Sequence, residues 1–170
     1  MEKDMKLVQE LMEKSIELRK RVVDMVYHAR SGHIGGSLSS ADILSVLYFH
    51  VMKLDPENPR WEKRDRFVLS KGHISPAYYS ALAMRGFFPV EELKGFRQYG
   101  SMLQGHPDRK HIPGVDMSAG SLGQGISAAV GMAIAAKLKG RDHRVYALLG
   151  DGELQEGQVW EALMLASHRK

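Results

Sequence analysis

The sequence predicts an α/β protein in which parallel strands lie between helices. Three observations carry this prediction. Two short β-rich runs, residues 66–70 and 144–149, each lead into a glycine-containing turn, and each turn opens into a helical pattern. The second turn, Gly150-Asp151-Gly152, places a carboxylate at the carboxyl end of a strand, where open α/β sheets bind their ligands. Long helical periodicities fill much of the remaining chain. Asp151 is then suited to hold a hard cation such as magnesium through oxygen, while the Gly152 amide and the N-terminus of the following helix face a diphosphate. Gly-Asp-Gly alone is also ordinary turn chemistry, so the tripeptide does not decide the matter.

Composition narrows the function classes. A chain of 170 residues that is 44% hydrophobic can bury a core. It has no cysteine, which excludes disulfides, thiolate metal sites and a cysteine nucleophile, and which suits a reducing, cytoplasmic compartment. No apolar run reaches the length of a membrane span, and the charged N-terminus does not read as a signal segment. The formal charge of +4 is dispersed apart from Arg19-Lys20-Arg21 and His168-Arg169-Lys170. Neither cluster is interleaved with stacking aromatics, so nucleic acid is not an expected partner, whereas a mild positive field suits anionic small molecules.

The elements follow in order. Leu7, Leu11, Leu18, Val22, Met25 and Val26 recur at helical spacing and predict a long amphipathic helix over about 4 to 29. Residues 31–37, rich in glycine, read as a loop carrying His33. Ser39 is the expected N-cap of a second helix whose buried stripe is Ile43, Leu44, Val46, Leu47 and Val51, broken by the two prolines of residues 55–59. The strand over 66–70 ends at Lys71-Gly72-His73. Pro76 sits in the first turn of a helix carrying Tyr78, Tyr79, Leu82 and Met84, which Gly86 ends, and Pro89 opens a short helix through Leu93. Residues 95–117 read as mostly irregular, with Gly105-His106-Pro107 inside them. A helix over about 123–139 follows, in which Gly125, Ala128, Gly131 and Ala135 allow close approach to a neighbouring element, and Gly140 caps it. The strand over 144–149 leads to a last helix with Val159, Trp160, Leu163, Met164 and Leu165. Two strands are few for a parallel sheet. More sheet is expected from weak strands within 95–117, from a partner chain, or from sequence beyond residue 170.

His33, His73 and His106 each sit beside glycine, in loops that precede Gly120-Ser121-Leu122-Gly123 and Gly150-Asp151-Gly152. Imidazoles next to sites of close backbone approach can donate to phosphate or hydroxyl oxygens and move protons near neutral pH. The other five histidines lack that setting and read as ordinary core or surface residues.

In this order, Ser31-Gly32-His33, the run from Asp65 to His73, Gly105-His106-Pro107, Gly120-Ser121-Leu122-Gly123-Gln124-Gly125 and Gly150-Asp151-Gly152-Glu153-Leu154-Gln155-Glu156-Gly157 closely resemble the N-terminal domain of the transketolase family. The resemblance covers nearly the whole chain. It implies that residues 1–170 form part of a thiamine-diphosphate-binding fold, a parallel sheet between helices that is incomplete at the C-terminal end. It also implies transfer of a two-carbon ketol unit between sugar phosphates, with thiamine diphosphate and Mg2+ as cofactors. By resemblance Asp151 ligates the metal, and His73, Gly120, Leu122, Gly152 and Glu156 surround the cofactor. His33, His73 and His106 take catalytic positions, with His33 assisting proton transfer and His106 binding substrate hydroxyls. Glu156 and Glu161 correspond to the acidic pair at the family's subunit interface.

The departure from the family pattern lies at the end of the chain. The thiamine signature closes with an asparagine metal ligand on a later strand, which these 170 residues do not reach. Glu153, Glu156 and Glu161 do not simply substitute for it, because a ligand must reach the metal from a defined direction. The glutamate that activates the cofactor is likewise absent. A split enzyme completed by a complementary C-terminal subunit is the favoured expectation, with self-association through the Gly/Ala-rich helix and the face of Val159, Trp160 and Leu163. A non-catalytic remnant and a related thiamine enzyme making deoxyxylulose phosphate stand as alternatives. Against the latter, Gly105-His106-Pro107 and Leu154-Gln155-Glu156-Gly157 look more like transketolase.

Overall fold

A computed structural model of the protein describes residues 5–169. Residue 4 of the expected first helix and Lys170 of the basic C-terminal cluster lie outside them. The chain divides into two compact units, Met1–Met52 with Ile74–Gly105, and Lys53–His73 with His106–Lys170.

The first unit is helical. Helix α1 (Met5–Ala29) buries Ser15, Leu18, Val22 and Met25, one residue per turn along a single face, while Leu7, Leu11 and Val26 are half-buried at its edge. It packs on α3 (Ala41–Val46) and α4 (Ser75–Arg85). Arg19 bridges α1 to Asp42 of α3 at 2.7 Å. The Arg19 guanidinium, and then the Ser15 hydroxyl, hold the Asp42 carboxyl down to about 2. Helix α4 is buried on nearly every side, starts with Pro76 in its first turn and stops at Gly86, whose φ of 95° closes the last turn.

Three expectations fail in this unit, each for a physical reason. The loop expected over 31–37 is largely helix, since α2 spans Ile34–Ser39. Its glycines serve packing, because a Cβ at Gly36 would meet Ile74 Cγ2 at 2.8 Å. Ser39 therefore ends α2 and does not cap the next helix. The α3 cap residue is Ser40, and its hydroxyl donates backwards to the Gly36 carbonyl at 2.8 Å. The buried face of the following helix is Ala41, Leu44, Ser45 and Tyr48, whereas Ile43, Val46 and Val51 are exposed. Small and polar residues occupy the true interior face, with Ser45 donating to the Leu11 carbonyl at 2.7 Å, so hydrophobicity alone marks the wrong stripe.

The second unit holds the sheet. Strand β1 (Arg66–Leu69) pairs in parallel with β2 (Val145–Leu148), in register from Arg66↔Val145 to Leu69↔Leu148. Among the described residues no third strand forms, so the strands anticipated within 95–117 are not there. Beside β1 the Asp116 carboxylate, not a strand carbonyl, accepts the Phe67 amide at 2.9 Å. Helix α5 (Gln124–Leu138) and helix α6 (Gly157–His168) pack together through Ile126, Val159 and Ala162, with Val130 and Leu149 against them. The expected close packing of α5 is confined to its start. A Cβ at Gly125 would lie 2.6 Å from Ser70 Cα, whereas Gly131 faces open space. No described helix is long and apolar enough to cross a membrane.

Gly125→Ala therefore drives a methyl group into the backbone at the end of β1. We expect a loss of about 1–3 kcal/mol in urea unfolding. An unchanged midpoint would contradict this close approach.

Candidate functional site

The carboxyl ends of β1 and β2 carry the glycine-containing turns, and within the second unit the structure brings the remote motifs together. The Gly72 backbone lies against residues 119–120, where an added Cβ would meet Ala119 C at 2.9 Å and Gly120 N at 3.0 Å. Residue 119 in turn donates its amide to the Pro107 carbonyl at 3.2 Å, and the His106 ring lies 3.5 Å from the Cβ position of Gly120. His73, His106 and Gly120 are thus neighbours through their loops. Leu122 follows two residues later and is exposed. Gly123 has a left-handed φ of 81° and packs on Glu156, whose Cβ is 3.0 Å from its Cβ position.

One buried carboxylate fastens these loops. Glu153 is only 2% exposed. Its Oε1 accepts the Ser70 hydroxyl at 2.5 Å and the Gly123 amide at 2.9 Å, and its Oε2 accepts the Gly150 amide at 2.9 Å. The end of β1, the start of α5 and the end of β2 therefore share a single acceptor group. Such burial is stable because every contact is a charge-assisted hydrogen bond. Sequence pattern presents Glu153 only as a substitute metal ligand and does not reveal this role. A usable signal exists nonetheless: an acidic residue inside a turn whose neighbouring glycine amides need acceptors.

Asp151 is placed differently. It is exposed, precedes the short 3-10 turn Gly152–Gln155, and caps no amide with its side chain. The expectation that the following α-helix points its N-terminus at the same spot needs correction, because α6 begins only at Gly157, after the 3-10 turn. Gly152 is open, with no atom within 4 Å of its Cβ position, which leaves room for a ligand group against its backbone. Lys71 lies beside this turn, with its Cδ 3.5 Å from the Cβ position of Gly150. Burial pushes the Lys71 ammonium below its ordinary value, against the pull of Asp151 and Glu153.

These residues fit a diphosphate held with a divalent cation. An uncommitted, exposed carboxylate stands beside an open glycine backbone and a lysine. No group of three or more metal-ligating side chains exists among the described residues, and Asp151 could offer one oxygen to a coordination sphere that ligand phosphates and water would complete. His33 belongs to the first unit, where it precedes α2 in an extended conformation and accepts the Ser37 hydroxyl on its carbonyl at 2.6 Å. Glu156 is exposed.

Comparison with known proteins follows the same residues. The family profile described as "Transketolase, thiamine diphosphate binding domain" matches residues 11–170. A 6-deoxy-6-sulfo-D-fructose transketolase subunit from Clostridium sp. (strain MSTE9) is 50% identical over 90% of this chain and 56% of its own length. An apulose-4-phosphate transketolase subunit from Phocaeicola vulgatus is 46% identical over 89% of this chain and 54% of its own. The crystal structure of transketolase from Campylobacter jejuni superposes with a TM-score of 0.89 at 46% identity, covering 95% of this chain and 27% of that one. The chain spans about half the length of the two subunits it matches.

Removing the shared acceptor tests the site directly. Glu153→Ala leaves three buried donors unpaired, at about 1–3 kcal/mol each before relaxation, so we expect a loss of at least about 3 kcal/mol in urea unfolding. Glu153→Gln keeps one acceptor oxygen and should fall between wild type and alanine.

Proposed function

The chain belongs to the transketolase family through its thiamine diphosphate-binding domain, and from that premise we propose that it is the cofactor-diphosphate half of a split transketolase, completed by a complementary C-terminal subunit. The observation that carries this reading is the gathering of the turns of His73, Gly120 and Asp151 at one end of the sheet, fastened by Glu153. When bound, thiamine diphosphate supplies the carbon nucleophile needed to move a two-carbon ketol unit. The chain's own residues bind and orient. Asp151 holds the divalent cation, for which magnesium is the natural candidate, while the open Gly152 backbone and the His73 imidazole face the diphosphate. Gly120 and Leu122 border the rest of the cofactor, and Glu156 stands behind Gly123. His106 meets substrate hydroxyls, and His33 handles a proton at the substrate.

The relatives' names support both the partner and the substrate class. Two of them are subunits, and the sugars in those names carry a terminal sulfonate or phosphate. An anionic sugar, a sugar phosphate in the first instance, is therefore the proposed substrate. Self-association belongs to the same reading, since Trp160, Leu163, Met164 and Leu165 of α6 are exposed, although Val159 of the expected face is buried against Ile126 and Ala162. So does a reducing cytoplasmic setting, which suits a chain without cysteine.

We expect thiamine diphosphate with magnesium to bind this chain weakly in calorimetric titration, and ketol transfer from xylulose 5-phosphate to ribose 5-phosphate to begin only when the complementary subunit is added. Asp151→Ala should abolish the magnesium-dependent part of the binding. Robust turnover by the chain alone would overturn the split-enzyme reading.

A further inference from the structure

The second unit contains another concave site, at the opposite end of β1. Arg66 begins that strand, whereas the Gly-Asp-Gly end lies four residues farther along, about 13 Å at the usual strand rise. The cleft encloses about 960 Å³, at the upper end of the range of small-molecule sites. Its walls come from residues 58–66 and 109–117, with Met132 of α5 between them.

The charges lining it are unbalanced. Arg60, Arg64, Arg66, Arg109 and Lys110 face a single carboxylate, Asp116. That carboxylate is committed, because Arg64 binds both its oxygens, at 2.6 and 3.0 Å, with each side chain 7% exposed. Arg66 reaches it only at 3.7 Å. The nearby Asp65 carboxylate is occupied by the Lys53 and Arg144 amides, at 2.8 and 2.7 Å. Burial, then the charge of Arg64, pushes the Arg66 guanidinium below its ordinary value, and Arg66 donates to the Trp61, Arg64 and Glu62 carbonyls.

The outer cations are exposed and uncommitted. The side chains of Arg60, Arg109 and Lys110 make no hydrogen bond or ion pair among the described residues. The loop of Arg109 and Lys110 is fixed by Asp108, which accepts the Lys110 amide at 2.9 Å, the Ser118 hydroxyl at 3.1 Å and His111 Nδ1 at 2.6 Å. The Arg109 amide donates to Ser118 Oγ at 3.0 Å. Arginine forks on two separate stretches of the lining match tetrahedral oxyanions, and several uncommitted cations call for more than one anionic group. Phe, Tyr and Trp are absent from the lining, so the base-stacking surface that single-stranded nucleic acid would use is missing.

We propose that this cleft binds a small molecule carrying two or more phosphate groups, at a site separate from the Gly-Asp-Gly turn. The site reads its ligand through Arg60 and the Arg109-Lys110 loop, with the buried Arg64–Asp116 pair beside them.

The test is calorimetric titration of the full 170-residue chain with inorganic tripolyphosphate, with chelator present so that metal-dependent binding at Asp151 is silent. One saturable site is expected. Arg109→Ala/Lys110→Ala should weaken it at least tenfold, and Arg60→Ala at least threefold. Removing two charges elsewhere, Lys6→Ala/Lys20→Ala on the exposed face of α1, should change it less than twofold. Thermal unfolding of each variant checks that these surface changes leave the fold intact. Absence of saturable binding, full retention in the Arg109→Ala/Lys110→Ala variant, or equal weakening by the α1 substitutions would overturn the proposal.

Discussion

The structure around the candidate site depends on one buried carboxylate. Glu153 lies in the turn after β2, yet its partners are Ser70 at the end of β1 and the amide at the start of α5, 83 and 30 residues away in sequence. A carboxylate in a dry environment must be fully hydrogen-bonded, so its three donors are fixed in position relative to one another. The glycines nearby follow from the same constraint. Gly123 must take a left-handed φ to present its amide, and Gly125 must carry no side chain so that α5 can approach Ser70. The exposed Asp151 and the open Gly152 then project from a turn whose base is already held.

Strong local signals made much of this architecture legible. Both strands, the proline-initiated helix ended by Gly86, and the Ala/Gly-rich helix lie within a residue or two of where pattern places them. The misses share a cause. Helix α2 runs through glycines because it packs on Ile74, and the interior face of α3 is built from Ala41, Leu44, Ser45 and Tyr48, whose placement is decided by neighbours distant in sequence. Glu153 escaped for the same reason, since nothing local distinguishes a buried acid with three distant donors from a solvated one. The position of Asp151 was legible because it needs only a strand end and flanking glycines.

The second unit carries different chemistry at the two ends of β1. At the carboxyl end stand one exposed carboxylate, one half-buried lysine and imidazoles on neighbouring loops. At the amino end, arginines exceed carboxylates and the loop of residues 108–111 is fixed by side-chain hydrogen bonds. Both ends favour anions, but only the first has an exposed carboxylate oxygen to offer a cation.

Glu153 holds these turns in place before any ligand arrives. Backbone hydrogen exchange at Gly123 and Gly150, followed by NMR on the chain without ligand, measures this most directly. If the claim holds, both amides exchange only through global unfolding, with an opening free energy equal to that from urea denaturation. Exchange as fast as that of the exposed Gly152 amide would mean that the turns open independently, and would contradict it.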